Sequence, residues 1–194
     1  MKYQKLRSNY EITDNAGMVF VIGPEADLTG ADLRGLDLSE SDLTGATLNG
    51  ADLTFADLSY SDFAAANFSP GGHAPVALDW AVMIGSNFEF ADLTRVSMVE
   101  AEAAGANFFY ACFEGANLSG ADLTNANLSY AQMERADLRG AVTENANFQD
   151  STNFIGLTDE QWVRLGLLSI EELDTFYAIL IDKQKKGRGP SGNG

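Results

Sequence analysis

The chain has 194 residues, of which 45% are apolar and 21% are charged, and its formal net charge is −16. No stretch is long and apolar enough for a transmembrane helix, and the acidic balance predicts no binding to nucleic acid or to an anionic membrane. With one histidine, one cysteine and no glycine-rich phosphate loop, we expect no catalytic site, no metal site and no cofactor.

The N-terminal segment, residues 1–25, contains a predicted β-hairpin. Tyr10–Thr13 and Met18–Ile22 are rich in strand-forming side chains, and the turn sequence Asp14–Gly17 lies between them. We expect this hairpin to cap the structure that follows, because the end of a solenoid leaves backbone groups unpaired. The segment lacks the apolar core of a signal peptide, and Cys112 has no second cysteine to pair with, which together favour a cytoplasmic location.

A five-residue unit repeats over residues 26–150. It reads Ala, then Asp or Asn, then Leu or Phe, then two variable positions, as in ANLSG ADLTN ANLSY AQMER ADLRG at residues 116–140. This period fits neither an amphipathic helix nor a half-buried strand. It predicts a solenoid of small stacked units, each of which buries its Ala and its central Leu or Phe.

These units resemble the pentapeptide-repeat family, whose signature is A(D/N)LXX, and they are similar to its regular cyanobacterial type. The resemblance implies an all-β solenoid: a right-handed quadrilateral β-helix with four units per coil. Columns then follow from every twentieth residue. That spacing predicts one buried column containing Phe68, Phe88 and Phe108, with an asparagine ladder from Asn67 to Asn147 beside it.

Prolines and glycines interrupt the repeat at residues 69–85, which read SPGGHAPVALDWAVMIG. The frame resumes in phase at Ser86. Either a loop replaces part of a coil, or the loop bulges outward while the coil continues beneath it. Trp80 is a candidate partner-contact residue on this segment, and the alternative is that its ring folds back onto Tyr60.

Three outward-facing aromatic residues, Phe90, Tyr110 and Tyr130, are also spaced twenty residues apart. They predict a surface column with two possible roles. It is either a self-stacking ladder that shields the backbone, or an exposed apolar stripe that binds a partner. These three residues and Trp80 are the candidate partner-contact residues.

Residues 151–187 predict two C-terminal helices, and residues 188–194 predict a disordered tail. A capping box at Thr158–Gln161 begins a short helix, which we expect to cap the last coil. The second helix either packs on the first or forms a homodimer. Its candidate dimer residues have helical spacing: Leu173, Phe176, Tyr177 and Leu180.

The repeat carries four arginines against nineteen Asp and Glu, a net charge of −15. We interpret the chain as a non-catalytic acidic scaffold for an unidentified protein partner. The family resemblance implies an alternative, because the quinolone-resistance members look like B-form DNA, bind gyrase, a type II topoisomerase, and dimerise through C-terminal helices. A third interpretation is a structural subunit of a larger assembly such as a virus particle.

Overall fold

A computed structural model describes residues 7–151 of the chain. The two predicted C-terminal helices, their candidate dimer residues and the predicted tail lie outside the described residues. Within residues 7–151, no helix is long and apolar enough to cross a membrane.

The predicted N-terminal hairpin is present. Strand β1 is Tyr10–Thr13 and strand β2 is Val19–Ile22, and the two pair antiparallel. Met18, which the sequence placed in the second strand, belongs to the turn instead. The turn is held by Asp14, whose Oδ1 accepts hydrogen bonds from the backbone N–H groups of Ala16 at 3.0 Å and Met18 at 2.8 Å.

The N-terminal segment is hydrogen-bonded to the first coil of the repeat. The backbone N–H of Asn15 donates to the carbonyl oxygen of Asp32 at 2.9 Å, and that of Arg7 donates to Glu40 at 2.6 Å. The hydroxyl groups of Tyr10 and Ser41 lie 2.6 Å apart. These bonds occupy backbone groups at the start of the solenoid, as a cap must, but the capping role itself stays a prediction.

Residues 26–150 form a solenoid whose coils pair through isolated parallel bridges. The bridged residues lie 20 positions apart, as in Asp27 with Thr47 and Asn87 with Asn107. Four five-residue units therefore make one coil, as the family resemblance implies. The right-handed sense of the coil stays a prediction.

The unit's sequence has a direct structural reason. The central Leu, Phe or Met and the Ala two places before it are buried almost everywhere, so the small side chain allows the wall of one face to approach the next. The Asp or Asn accepts a hydrogen bond from the N–H two residues later, as Asp52 does from Thr54 at 3.0 Å. The fifth residue, which we call the corner residue, turns the chain with a positive φ, for example +70° at Gly30.

The interruption of the repeat is shorter than the sequence suggested. Asp52 bridges Ala77 and Asp57 bridges Val82, so the bridged residues here lie 25 positions apart instead of 20. Five additional residues within 69–75 bulge outward while the coil continues. From Val76 onward the chain is regular again, and Leu78 is fully buried in the core.

This insertion shifts the predicted columns by one unit. Phe88 stacks on Phe63, with ring centroids 5.0 Å apart and planes inclined by 3°; the predicted placement of Phe88 in the column of Phe68 was wrong. Asn67 likewise bridges Asp92 and not Asn87. The insertion has the length of one unit, so the five-residue frame continues in phase. A comparison of every twentieth residue therefore cannot detect it.

The predicted asparagine ladder is present, but it starts at Asn87 and not at Asn67. Side-chain amides donate along it from coil to coil, from Asn107 to Asn87 at 2.9 Å and from Asn127 to Asn107 at 2.9 Å. Asn147 continues the ladder at one end. At the other end, Nδ2 of Asn87 donates to Oδ1 of Asp62 at 3.1 Å.

Candidate functional site

Phe90, Tyr110 and Tyr130 stand above one another on one corner of the solenoid. The backbone positions them, because each donates its N–H to the residue before the next corner residue. Phe90 donates to the carbonyl of Phe109 at 2.9 Å, and Tyr110 donates to that of Ser129 at 3.2 Å. The predicted surface column is therefore formed by three consecutive coils.

The rings of this column stack on one another and are exposed. The centroids of Phe90 and Tyr110 lie 5.6 Å apart, and those of Tyr110 and Tyr130 lie 4.9 Å apart with planes inclined by 5°. Phe109 packs edge-on against all three rings. Their exposed fractions are 57%, 44% and 38% in chain order. We call these four residues the aromatic ladder.

The three corner residues of the ladder have a backbone conformation that bulky residues rarely adopt. The φ angles are +58° at Phe90, +55° at Tyr110 and +60° at Tyr130. This left-handed region costs about 1–2 kcal/mol per non-glycine residue, and an aromatic pair contributes only about 0.5–1.5 kcal/mol beyond its buried area. The stacking contacts and the apolar area that the rings bury therefore have to offset a backbone cost that glycine would not incur.

At the end of the ladder, Tyr130 is hydrogen-bonded to Asp150, and this bond together with the carboxylate's charge raises the pKa of the Tyr130 phenol above its usual value near 10. The protonated phenol is thus favoured in the folded state, and the stability it adds is lost as the pH rises through the raised pKa. We expect Asp150→Asn to lower the pKa of Tyr130 toward 10, as measured by the tyrosinate absorbance during alkaline titration. The absorbance change that disappears in Tyr130→Phe is the one that belongs to Tyr130. An unchanged Tyr130 titration in Asp150→Asn would contradict the contact between Tyr130 and Asp150.

Trp80 also occupies a corner, and it lies on the regular repeat after the insertion. Its ring stacks on Phe55, with centroids 5.3 Å apart and planes inclined by 17°. The alternative in which the Trp80 ring folds back onto Tyr60 is wrong, because the inserted residues move Trp80 by one unit relative to the preceding coil. Tyr60 instead leans over Gly85, where an added Cβ would lie 2.9 Å from the ring.

Phe55 was not among the partner-contact residues predicted from the sequence. Within residues 7–151 it is the most exposed of the large apolar residues, at 64%, and it forms a second aromatic surface with Trp80. Its signal was present in the sequence, because it holds the fifth position of its unit like the other exposed rings. A spacing of 25 residues to Trp80 concealed the pair.

Arginine pairs with only a few of the carboxylates on the surface of the solenoid. Arg34 binds Asp32 with an N–O distance of 2.6 Å, and this hydrogen bond is the main reason that the pKa of Asp32 is lowered to about 2. Arg139 is paired with Asp137 in the same way. Most of the acidic side chains have no arginine partner within residues 7–151, and no cluster of candidate metal ligands occurs there.

Stacked five-residue units with exposed corner side chains define a repeat protein whose chemistry lies on its surface. A profile of the family described as "Pentapeptide repeats" matches eight copies at residues 25–59, 46–69, 76–108 and 104–140. The matches cover more than half of the chain, and the chain therefore belongs to the pentapeptide-repeat family. A search of the curated proteins finds no match.

Several solved structures are similar to this chain. HetL, a pentapeptide-repeat protein involved in heterocyst differentiation regulation in Nostoc sp. strain PCC 7120, is 34% identical over 66% of this chain, with a TM-score of 0.46. This chain spans only 59% of the length of HetL. Rfr23 from Cyanothece 51142 is 24% identical over 60% of this chain and 64% of its own, with a TM-score of 0.30. QnrB1, a plasmid-mediated fluoroquinolone resistance protein, is 19% identical over 78% of this chain and 84% of its own, with a TM-score of 0.38.

Proposed function

We propose that this chain is a non-catalytic acidic scaffold that binds a partner protein through the aromatic ladder. The supporting observation is that three exposed rings stack on consecutive coils at positions where the backbone favours glycine. Aromatic residues are enriched among the anchors of protein interfaces, because they supply large contact area with few rotatable bonds. A cytoplasmic location belongs to the same proposal and rests on the sequence alone.

The experiment compares two variants of the full chain that retain the backbone conformation. In the first, Phe90, Tyr110 and Tyr130 are all replaced by Gly; in the matched control, the exposed rings of Phe55 and Tyr60 are replaced by Gly. We expect affinity capture from extracts of the cells that make the protein to lose its bound partner only with the ladder variant. Equal capture by both variants would contradict the proposal.

The net charge of −15 on the repeat supports a second candidate function, mimicry of B-form DNA. Acidic residues bridge one another in successive coils on three of the faces: Asp32 with Asp52, Asp37 with Asp57 and Asp42 with Asp62. DNA mimicry predicts that the full chain inhibits DNA supercoiling by gyrase at low micromolar concentration. No inhibition at tens of micromolar would leave the scaffold as the proposal. The homodimer and the assembly subunit depend on a predicted helix that lies outside the described residues, and both stay predictions.

A further inference from the structure

The corner that carries the aromatic ladder continues toward the N-terminus with small residues. The N–H of Ala65 donates to the carbonyl oxygen of Glu89, the N–H of Gly45 donates to Ala64, and the N–H of Glu25 donates to Thr44, all at 2.8 Å. The corner residues before Phe90 are therefore Ala65, Gly45 and Glu25, one in each preceding coil. Two coils without a large side chain separate a carboxylate from the first ring of the ladder.

The side chains at these corners lean over the corner residue of the following coil. A Cβ added at Gly45 would lie 3.6 Å from Cγ of Glu25, and one added at Gly115 would lie 3.5 Å from Cγ of Arg95. The Cγ atom of Glu25 therefore lies beside Gly45, the corner residue of the following coil. On the other side, the Phe90 ring stacks with Tyr110 in the following coil, and the preceding coil carries only the methyl group of Ala65 at this corner.

We call the space over Ala65, between Glu25 and the exposed ring of Phe90 on this corner, the notch. Neighbouring coils lie about 4.8 Å apart, so the two coils without large side chains leave room for a flat group stacked on Phe90. The notch is exposed at Glu25, Ala65 and Phe90.

Within residues 7–151, the charged residues that adjoin the notch are acidic, apart from Arg7, whose carbonyl oxygen accepts from Asp42 and whose guanidinium is bound to Ser39 and Asp37. Asp42 and Asp62 precede Gly45 and Ala65 on the adjoining face, and Glu89 precedes Phe90. None of these carboxylates, nor that of Glu25, has an ion-pair partner within 4.0 Å among residues 7–151. The arginines of the repeat belong to other columns: Arg34, Arg95, Arg135 and Arg139.

We propose that the notch binds the guanidinium group of an arginine in a basic segment of the partner protein. The inference rests on the proposed function and specifies the partner's chemistry. A guanidinium is planar, so it stacks on the face of Phe90, and its positive charge is attracted both to the ring and to the Glu25 carboxylate. Apolar atoms that follow this arginine then lie against the remaining rings of the ladder.

The test measures binding of fluorescein-labelled hexa-arginine and hexa-lysine peptides to the full chain by fluorescence anisotropy at physiological ionic strength. A stacking site predicts that hexa-arginine binds about threefold or more tightly than hexa-lysine, although both carry the same charge. Phe90→Leu and Glu25→Gln should each weaken the binding of hexa-arginine by about fivefold. Phe90→Leu should also abolish the preference for arginine.

Two controls separate the notch from the general acidity of the protein. Glu144→Gln removes the same charge at another exposed position, and Phe55→Leu removes a similarly exposed ring on another corner. Each should change the binding of hexa-arginine by less than about twofold, since neither group faces the notch. Equal losses in Glu144→Gln and Glu25→Gln, or no preference for arginine, would overturn the proposal in favour of diffuse electrostatic attraction.

A further variant keeps the test valid if Phe90→Leu fails to fold. Ala65→Met fills the notch with an uncharged side chain at an exposed corner and leaves both Glu25 and Phe90 in place. Ala65→Met should weaken the binding of hexa-arginine by about the same factor as Phe90→Leu does. If capture of the partner still requires the ladder but the peptides do not discriminate, the proposed scaffold stands and the arginine chemistry is wrong.

Discussion

Replacement of Phe88 by Ala is expected to lower the free energy of unfolding by about 3–5 kcal/mol. The ring is fully buried and lies between Phe63 and Phe108, with centroid distances of 5.0 Å and 5.1 Å. Phe68 in the neighbouring column contacts it as well, at 5.8 Å. The coils are held apart by a continuous hydrogen-bonded backbone and cannot collapse into the vacated space. Chemical denaturation followed by far-ultraviolet circular dichroism measures the loss.

The matched control is Phe55→Ala. This ring is 64% exposed and stacks only on Trp80, so its removal should cost no more than about 1.5 kcal/mol, the upper value for an aromatic pair. A loss for Phe88→Ala no greater than that for Phe55→Ala would contradict the position of Phe88 in the core. It would also contradict the columns that follow from the shifted register.

Deletion of residues 70–74 is expected to lower the free energy of unfolding strongly or hardly at all, depending on which residue then occupies the corner. In the shortened chain, residue 75 directly follows Ser69 and becomes a corner residue. Gly50 and Arg95, in the coils on either side of it, have φ angles of +70° and +58°. The pyrrolidine ring of Pro75 restricts φ to about −65°, so it cannot adopt this turn.

With Pro75 retained, we expect the deletion to lower the free energy of unfolding by about 3 kcal/mol or more, the cost of a proline that the backbone cannot accommodate. With Pro75→Gly in addition, stability should stay within about 1 kcal/mol of the parent, because the coil already continues beneath the bulge and a shorter loop closes at slightly lower entropic cost. The two proteins differ at one residue, so each is the control for the other. Equal loss in both would mean that the inserted residues belong to the coil.

Much of the architecture could be predicted because each unit interacts in the same way with its neighbours. The alternation of Ala and Leu or Phe determines which side chains are buried, and Asp or Asn accepts the hydrogen bond of the local turn. Both effects act within one unit, so five consecutive residues are enough to predict them. The hairpin was predicted for the same reason, since a turn at Asp14–Gly17 joins two short strand-forming runs that are close together in the chain.

The candidate site was predicted in part for the same reason. Phe90, Tyr110 and Tyr130 follow the insertion and retain the spacing of twenty residues, so their column was predicted correctly. Trp80 and Phe55 lie on opposite sides of the insertion, so a spacing of twenty residues offered Tyr60, and not Phe55, as the ring that Trp80 could stack on. Glu25 precedes the first unit, and only the hydrogen bond from its N–H to Thr44 places it on the ladder corner.

The order of the amino acids is enough to predict the repeating unit, the buried and exposed positions, the acidic surface and the family. The pairing of one coil with the next is visible only in the fold, and this pairing sets which aromatic rings meet and where the notch lies beside Phe90. The physical reason is that an insertion of one unit's length preserves every local pattern. Backbone pairing between coils, as in Asp52 with Ala77, is the interaction that distinguishes a bulge from a coil.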